Sequence, residues 1–291
     1  MIPSSLKSAL HHARYFPLWS ALTVIKWRAF EMRSRGLGTT FAAVMRWFPP
    51  AGRRFDREAR RIFPNMKRGD RARLGQDMGR HMGRTLFEIY HLAEFQTQHH
   101  KFRVSGTGLA DLKKAQSEGR GAIIVSGHFG QWEAVRAVLK MHGLESGAVY
   151  RPNKNRHYER RILAGIEAGG RPILPTGRAG TKALVSHVKA GGIISILLDE
   201  KYSQGVRLPF LGQDALTSLS AAQLALKYDL LMVPAFGIRI DDGNAYRVEF
   251  ENPIPHTDSV TMTRVFNDSL SAQILAQPSQ WYWLLRRWDD M

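Results

Sequence analysis

The sequence predicts an α/β protein in which a mixed, largely parallel sheet is flanked by helices and preceded by a basic helical segment that docks on a membrane. From about residue 103 onward, short apolar runs bounded by glycine alternate with helical stretches. The composition, 44% hydrophobic and 23% charged over 291 residues, is that of an ordinary globular protein. Strands that alternate with helices are typical of a sheet covered on both faces.

The pattern gives six strands and four helices in this part of the chain. The predicted strands span 121–126, 148–151, 172–175, 193–198, 231–240 and 246–250. The predicted helices span 130–141, 156–167, 180–189 and 218–228. Upstream, residues 77–95 carry five apolar side chains at helical spacing, which indicates core packing: Met78, Met82, Leu86, Ile89 and Leu92.

The chain shows no internal repeat, low-complexity tract or clear linker. We therefore expect a helical, basic region at 1–100 and an α/β domain at 101–291 to pack as one unit.

The charge of the chain is strongly positive and uneven. There are 42 lysine and arginine residues against 25 acidic ones, which gives +17, and residues 1–100 hold 18 basic against 7 acidic residues. Such a charge favours polyanionic partners: nucleic acid, an anionic membrane, a phosphorylated substrate or an acidic carrier protein. Because the chain has no cysteine, disulfides, thiol nucleophiles and Cys-ligated metals are excluded.

An apolar stretch at Phe16–Phe30 is the nearest approach to a membrane-spanning segment, yet it is shorter than the roughly 20 residues that a bilayer requires. We expect a helix in the membrane interface, with Trp19 and Trp27 near the head groups. The basic residues expected to face anionic lipid are Lys26, Arg28, Arg33 and Arg35. A buried core helix is the alternative.

The segment Ser126-Gly-His-Phe-Gly-Gln-Trp-Glu133 lies where a buried strand ends and a helix begins. In open α/β sheets, ligands bind in the crevice at this end of the strands. If both were helical, His128 and Glu133 would be separated by roughly 500° of rotation and would point to different faces. A working pair therefore requires His128 in the loop and Glu133 in the first helical turn, which the glycines at 127 and 130 permit.

In that arrangement Glu133 can accept a hydrogen bond from one imidazole nitrogen, and the other nitrogen can deprotonate a bound hydroxyl. Backbone amides at the helix start, at Phe129 and Gly130, are candidates for stabilising an oxyanion. The alternative is a histidine that caps a helix, with Glu133 favoured there by the helix dipole.

The His-x-x-x-x-Glu pattern resembles the signature of glycerolipid and lysophospholipid acyltransferases, and more particularly the bacterial late acyltransferases of lipid A biosynthesis. Four further blocks resemble that family in the right order: Arg60-Arg-Ile-Phe-Pro-Asn65, Val149-Tyr-Arg-Pro-Asn153, Leu198-Asp199 with Pro209-Phe-Leu-Gly212, and Gln277-Pro-Ser-Gln-Trp-Tyr-Trp283 with Arg286-Arg287. One departure is Asp199-Glu200-Lys201, where the family commonly has Asp-Gln-Asp.

The resemblance implies transfer of a fatty acyl chain from an acyl carrier protein thioester to a hydroxyl of a lipid A precursor, an anionic glycolipid. It implies His128 as general base and Glu133 as its orienting partner, without an acyl-enzyme, a metal or a cofactor. Arg151, Asn153 and Asp199 are its substrate-binding candidates, although Arg151 can equally form a structural ion pair. The place implied is the cytoplasmic side of the cell inner membrane.

Other functions are weighed by motifs that the chain lacks. A serine hydrolase is disfavoured without Gly-x-Ser-x-Gly, and zinc without His-Glu-x-x-His. Acylation of a lysophospholipid, an aminolipid or a mannosylated lipid from acyl-CoA is the main alternative. Nucleic-acid binding is not expected, because only charge favours it.

The C-terminal aromatic and basic residues either form a belt at the membrane interface or cover the sheet: Trp281, Trp283, Trp288, Arg286 and Arg287.

Overall fold

A computed structural model describes residues 28–153, 155–240 and 245–288. Its main feature is a seven-stranded sheet, and a separate hairpin lies beside it. The strands, in chain order, are β1 Phe102–Ser105, β2 Ala122–Ser126, β3 Ser146–Tyr150, β4 Ile173–Pro175, β5 Ile193–Leu197, β6 Val206–Phe210, β7 Gln213–Thr217, β8 Leu231–Ile240 and β9 Ala245–Phe250. The order in the sheet is β1-β9-β8-β2-β5-β3-β4, and β6 and β7 form the hairpin. Strands β8, β2, β5, β3 and β4 are mutually parallel, β9 runs antiparallel to β8, and β1 runs parallel to β9.

Helices cover the sheet, so the prediction of an α/β fold with a largely parallel sheet flanked by helices is confirmed. The membrane-docking role of the N-terminal segment stays a prediction. They are α1 Phe30–Trp47, α2 Pro49–Ile62, α3 Arg68–Tyr90, α4 Leu92–Gln96, α5 Gly108–Ser117, α6 Glu133–Met141, α7 Arg156–Gly169, α8 Arg178–Lys189, α9 Ser220–Tyr228 and α10 Ser259–Ala276. All six predicted strands are present within two residues of their expected bounds. Strand β1, the hairpin, α5 and α10 were not predicted from the sequence.

The predicted helix at 130–141 begins later, at Glu133. Gly130 has a φ of +60°, and a Cβ there would lie 2.1 Å from the backbone oxygen of Gly237. The chain therefore makes a tight turn against β8 before the helix can start.

Two hydrophobic cores lie on the two faces of the sheet, because successive side chains of a strand point to opposite faces. Ile123 and Val125 of β2 join the core that includes α9, α10 and the C-terminal tryptophans. Ile124 of the same strand joins the core formed with α4, α5 and α6. Since β2 is covered on both sides, it is an apolar run without alternation, as expected of a central parallel strand.

The helical layer of α1 and α3 corrects one expectation for the N-terminal region. Arg33 does not face lipid: it is buried, forms an ion pair with Glu94, and its guanidinium lies 5.4 Å from the centre of the Phe87 ring. Arg28 and Arg35 are exposed. Lys26, Trp19, Trp27 and most of Phe16–Phe30 lie outside the described residues.

A buried ion pair connects this helical layer to the sheet. Glu88 of α3 accepts from both terminal nitrogens of Arg239 of β8, at 2.6 and 2.8 Å, and from Ser34 of α1 and Gln131 of the loop after β2. Burial alone would raise the pKa of Glu88, but the Arg239 charge outweighs it and holds the pKa below its usual range. Glu88 is therefore ionised and fully compensated.

The C-terminal aromatic residues cover the sheet and do not form an exposed belt. Trp281 and Trp283 are fully buried, and Trp288 is 6% exposed. Arg287 is also buried and donates to the Leu216 carbonyl and the Thr217 hydroxyl at 2.8 and 2.7 Å. Only Arg286 of this group is exposed.

Within residues 28–153, 155–240 and 245–288, no helix is both long enough and apolar enough to cross a membrane. The division of the chain at residue 100 stays a prediction.

Removing Glu88 is expected to destabilise the fold strongly. In Glu88→Ala the Arg239 guanidinium stays buried without its carboxylate, and breaking such a pair costs about 3–5 kcal/mol of unfolding free energy. Urea unfolding followed by circular dichroism measures it. Asp77→Ala, which breaks an exposed pair with Arg80, is the control and should cost less than about 1 kcal/mol. Equal losses of unfolding free energy in the two variants would contradict a stabilising role for the buried Glu88–Arg239 pair.

Candidate active site

The site lies at the carboxyl ends of the neighbouring parallel strands β2 and β5. Ser126, the last residue of β2, pairs with Leu197, the last residue of β5. Each strand is followed within two residues by a polar side chain, His128 after β2 and Asp199 after β5. The strand order therefore brings together two residues that are 71 positions apart in the sequence.

Asp199 holds His128 by two hydrogen bonds. The His128 ring donates from Nδ1 to Oδ1 at 2.8 Å, and its backbone N–H donates to Oδ2 at 2.7 Å. The indole Nε1 of Trp281 donates to the same Oδ2 at 2.9 Å. Because the carboxylate fixes the proton on Nδ1, Nε2 is the nitrogen left to accept a proton from a ligand.

Electrostatics reinforce this pair. Burial favours the neutral imidazole, but the Asp199 charge and hydrogen bond outweigh burial and raise the pKa of His128 above its usual value of about 6.5. Burial likewise opposes ionisation of Asp199, yet the His128 charge and the donors around the carboxylate lower its pKa. The aspartate is thus ionised while the histidine titrates, as in catalytic acid–base pairs.

Glu133 occupies the predicted position but makes a different contact. It is the first residue of α6, and His128 lies in the loop, as the spacing required. Its Oε2 accepts from Arg136 at 2.7 Å, and both side chains are almost fully buried. The orienting hydrogen bond expected from Glu133 is made by Asp199 instead, because β5 delivers its carboxylate directly behind the imidazole.

Arg136 carries the Glu133 contact into the surrounding backbone. Its guanidinium donates to the carbonyls of Ser146, Ile166 and Gly170 at 2.7 to 3.2 Å. It therefore links the start of α6 to β3 and to the end of α7. Arg136 was not predicted as a site residue, although its i+3 spacing from Glu133 is typical of helical ion pairs.

The backbone amides proposed for an oxyanion are already engaged. Phe129 N–H donates to the Gly127 carbonyl at 2.7 Å, and Gly130 N–H donates to the Gln280 carbonyl at 2.9 Å. These bonds fold the loop tightly under His128. In this geometry the oxyanion assignment for Phe129 and Gly130 is not supported, because both N–H groups already donate to carbonyl oxygens of the protein.

An apolar cavity of about 330 Å³ opens beside His128 and lies within the range of small-molecule sites. His128, Glu133, Arg151 and Asn153 all line it, so four predicted site residues share one cavity. Its other walls are mostly aliphatic and come from β2, β3, β5 and α7: Ile124, Ala148, Val149, Ile162, Ile166 and Leu197. Asp199 is 1% exposed and lies behind the imidazole, so its position corrects the expected substrate-binding role.

Arg151 and Glu200 lie at the exposed side of the cavity. Arg151 Nη2 donates to Glu200 Oε2 at 2.8 Å, and the arginine side chain is 75% exposed. Asn153 is exposed too, and its Oδ1 accepts from the Asn155 N–H at 2.8 Å. Arg151 thus forms an ion pair and also lines the cavity.

Among the described residues, no group of three or more His, Asp or Glu side chains is arranged to hold a metal ion. An imidazole held by a buried carboxylate beside an apolar cavity is an arrangement that can act as a general base.

The sequence of this chain was compared with protein families and with known proteins, and it is similar to acyltransferases. Residues 5–290 match the family model of bacterial lipid A biosynthesis acyltransferases. The lipid A biosynthesis lauroyltransferase of Escherichia coli (strain K12) is 24% identical over 96% of this chain and 94% of its own length. The lipid A biosynthesis palmitoleoyltransferase of the same strain is 24% identical over 95% and 92%. A phosphatidylinositol mannoside acyltransferase of Mycobacterium tuberculosis (strain CDC 1551 / Oshkosh) is 23% identical over 64% and 60%.

The contact between His128 and Asp199 predicts the pKa of the His128 imidazole, which NMR titration measures. The imidazole of the intact protein should titrate above pH 6.5, and Asp199→Asn should lower that pKa, because burial remains while the attracting charge is lost. His128→Gln identifies the signal. Glu200→Gln, which removes a weaker attraction, should lower the pKa less.

The stability of the fold should depend on pH, because the pKa values of this pair differ between the folded and unfolded states. Because the folded pKa of His128 lies above the unfolded one, protonated His128 stabilises the fold fully below about pH 6.5 and loses this contribution as pH rises through the folded pKa. The pKa of Asp199 is lowered on folding, so the contribution of the carboxylate is present above its unfolded pKa of about 3.9 and is lost as pH falls through the folded pKa. An unchanged His128 pKa in Asp199→Asn would contradict the assigned geometry.

Proposed function

The chain belongs to the bacterial lipid A biosynthesis acyltransferase family, and from this premise we propose that it moves a fatty acyl chain from an acyl carrier protein thioester to a hydroxyl of a phosphorylated lipid A precursor. The observation that carries the proposal is an imidazole held at Nδ1 by buried Asp199 beside an aliphatic cavity. We place the reaction at the cytoplasmic face of the inner membrane.

His128 acts as general base in this reaction. Its Nε2 takes the proton of the acceptor hydroxyl while the hydroxyl oxygen attacks the thioester carbonyl. The resulting tetrahedral intermediate collapses with cleavage of the carbon–sulfur bond, and the imidazolium returns its proton to the leaving thiolate. The acyl group passes directly to the acceptor, so no acyl-enzyme forms. Asp199 stabilises the transient imidazolium, which explains why a buried carboxylate faces Nδ1.

The cavity is suited to the acyl chain of the donor. Its walls are mostly aliphatic, and an extended hydrocarbon gains free energy by leaving water there. Glu133 and Arg136 contribute the ionic part of the wall, and their mutual pairing makes it neutral. In this proposal Glu133 is a positioning residue that fixes the start of α6.

Arg151 is the best-placed cation for the substrate. Its guanidinium is exposed, lines the same cavity as His128, and can move from Glu200 to a phosphate or to the developing oxyanion. Asn153 adds an exposed amide beside it. The net charge of +17 suits both an acidic carrier protein and a phosphorylated acceptor.

A second acceptor class is a mannosylated phospholipid. The similarity to relatives named phosphatidylinositol mannoside acyltransferase favours it, although these matches cover only 60% of their length. Presenting both acceptors with acyl carrier protein and acyl-CoA donors, and measuring acyl transfer by mass spectrometry, tests the choice. Acylation of neither acceptor from either donor would contradict the proposal.

The acid–base pair predicts a specific pattern of activity loss. His128→Ala should abolish acyl transfer, and Asp199→Asn should lower kcat/KM by about 10³- to 10⁴-fold, because the carboxamide can favour the wrong imidazole tautomer. Transfer of labelled acyl chains from carrier protein to the lipid precursor is the measurement.

The pH profile provides the matching control. Activity of the native protein should fall as pH drops through the raised pKa of His128, since the protonated imidazole is no base. Glu200→Gln should keep the activity within about tenfold, as it leaves Asp199 in place. Native activity in Asp199→Asn would rule out this pair as the base.

The cavity predicts a change in chain-length preference. Ala148 of β3 lines it, so Ala148→Leu should fill part of the space and lower kcat/KM for long acyl donors by about tenfold or more. Shorter donors should be used at nearly native rates, which serves as an internal control for folding. Equal losses for long and short donors would place the acyl chain elsewhere.

A further inference from the structure

A second concave surface, on the helical layer, is lined by arginines. It has a volume of about 990 Å³ and lies among α1, α2 and the first turns of α3. We call it the arginine groove and define it by six side chains: Arg46, Arg53, Arg57, Arg60, Arg61 and Arg68. Five of these are exposed, and Arg61 is half-buried. The acyl-transfer chemistry at His128 uses none of them.

The groove carries far more positive than negative charge. Arg71 at its base forms an ion pair with Asp56 at 2.8 Å, and Arg60 donates to the same carboxylate at 2.6 Å. Asp56 is the only acidic side chain among the lining residues. Buried Glu58 pairs with Arg57 at 3.3 Å, so the two acids compensate only part of the charge. Such a concentration of guanidinium groups suits phosphate, which arginine binds with two parallel hydrogen bonds.

The start of α3 supports an anionic occupant. Lys67 and Arg68 stand at the N-terminus of this helix, and Lys67 makes no side-chain capping hydrogen bond. Asp70 in the first turn balances part of the positive end of the helix macrodipole, and the N-terminal basic residues add to that positive end. The dipole and the arginines together therefore favour a bound anion at this end of α3.

The rim of the groove is apolar and aromatic. At the corner between α1 and α2, Trp47 is 74% exposed, Phe48 54% and Val44 44%. The guanidinium of Arg46 lies 5.0 Å from the centre of a Trp47 ring. Tryptophan beside arginine at an exposed corner is typical of surfaces that enter the head-group region of a bilayer.

From these contacts we propose that the arginine groove binds the phosphate head group of an anionic membrane phospholipid while Trp47, Phe48 and Val44 insert beside it. An acidic carrier protein would match the charge as well, but the concave shape and the aromatic corner favour a head group with its chains. The proposal needs no reaction at His128 and therefore goes beyond the proposed acyl transfer.

The groove is connected to the active site through packed aromatic side chains. Phe55 lies at the base of the groove, and its ring centre is 6.0 Å from that of Trp283. Trp283 packs at 4.9 Å on Trp281, which donates to Asp199. Docking at the groove thus holds the His128–Asp199 pair at a fixed position relative to the lipid surface, where the acceptor is located.

The test is flotation of the full-length protein with phosphatidylcholine vesicles that contain or lack phosphatidylglycerol. The variant Arg53→Gln/Arg57→Gln/Arg60→Gln should bind phosphatidylglycerol vesicles on the order of 100-fold more weakly, since each basic residue near an anionic surface contributes about fivefold. The control Arg171→Gln/Arg247→Gln/Arg264→Gln loses the same charge at exposed positions elsewhere, and its binding should change less than tenfold.

Trp47→Ser tests the rim independently. It should weaken binding several-fold while the salt dependence stays native, whereas the groove variant should lose most of the salt dependence. His128→Ala should bind vesicles like the native protein, so failure of docking and failure of the proposed chemistry are distinguishable. Native binding by the groove variant would overturn the proposal, as would loss of carrier-protein binding with vesicle binding retained.

Discussion

The buried negative charge of Asp199 is the constraint on which the rest of the site depends. A carboxylate without donors in such a place would cost several kcal/mol, so the fold must supply hydrogen bonds from every side. The loop after β2 provides the His128 ring and backbone N–H, and the C-terminal segment provides the Trp281 indole. The pairing of β2 with β5 brings His128 to this carboxylate, and the burial of Trp281 places its indole N–H within hydrogen-bond distance of it.

The two members of the His-x-x-x-x-Glu pattern belong to different networks. His128 is tied to Asp199, whereas Glu133 is tied through Arg136 to the backbone of β3 and α7. Gln131 lies in the loop between them, and its side chain donates to Glu88 of the helical layer, which holds the loop in place. The short motif therefore joins an acid–base pair to a rigid support, and each half has its own charge compensation.

Much of the fold follows from local patterns. Apolar runs such as 121–126 and 231–240 are long enough and isolated enough by turns to be recognised as strands. The hairpin strands are missed because each is only five residues long with two buried residues, and because Pro209 in the first of them argues against a strand. Strand β1 is a four-residue edge strand with no fully buried residue, which leaves little hydrophobic signal.

The position of His128 could also be predicted from a local pattern, because a strand, a glycine turn and a helix follow each other directly in the sequence. The role of Asp199 could not be predicted, because it depends on β5 being the neighbour of β2, and strand order is a long-range property. Pairing His128 with the nearest acid in the sequence was therefore wrong as a contact. Asp199 was a candidate only for substrate binding, and the rule that the carboxyl ends of parallel strands converge would have made it a candidate partner of His128.

The bond between Trp281 and Asp199 joins residues 82 positions apart, and the bond between His128 and Asp199 joins residues 71 apart. Closing loops of this length costs chain entropy, which the packing of the native fold has to repay. While the C-terminal segment is not packed against the sheet, the buried Asp199 carboxylate lacks the Trp281 donor. The hydrogen bonds of the site are therefore complete only when the last residues of the described chain are in place.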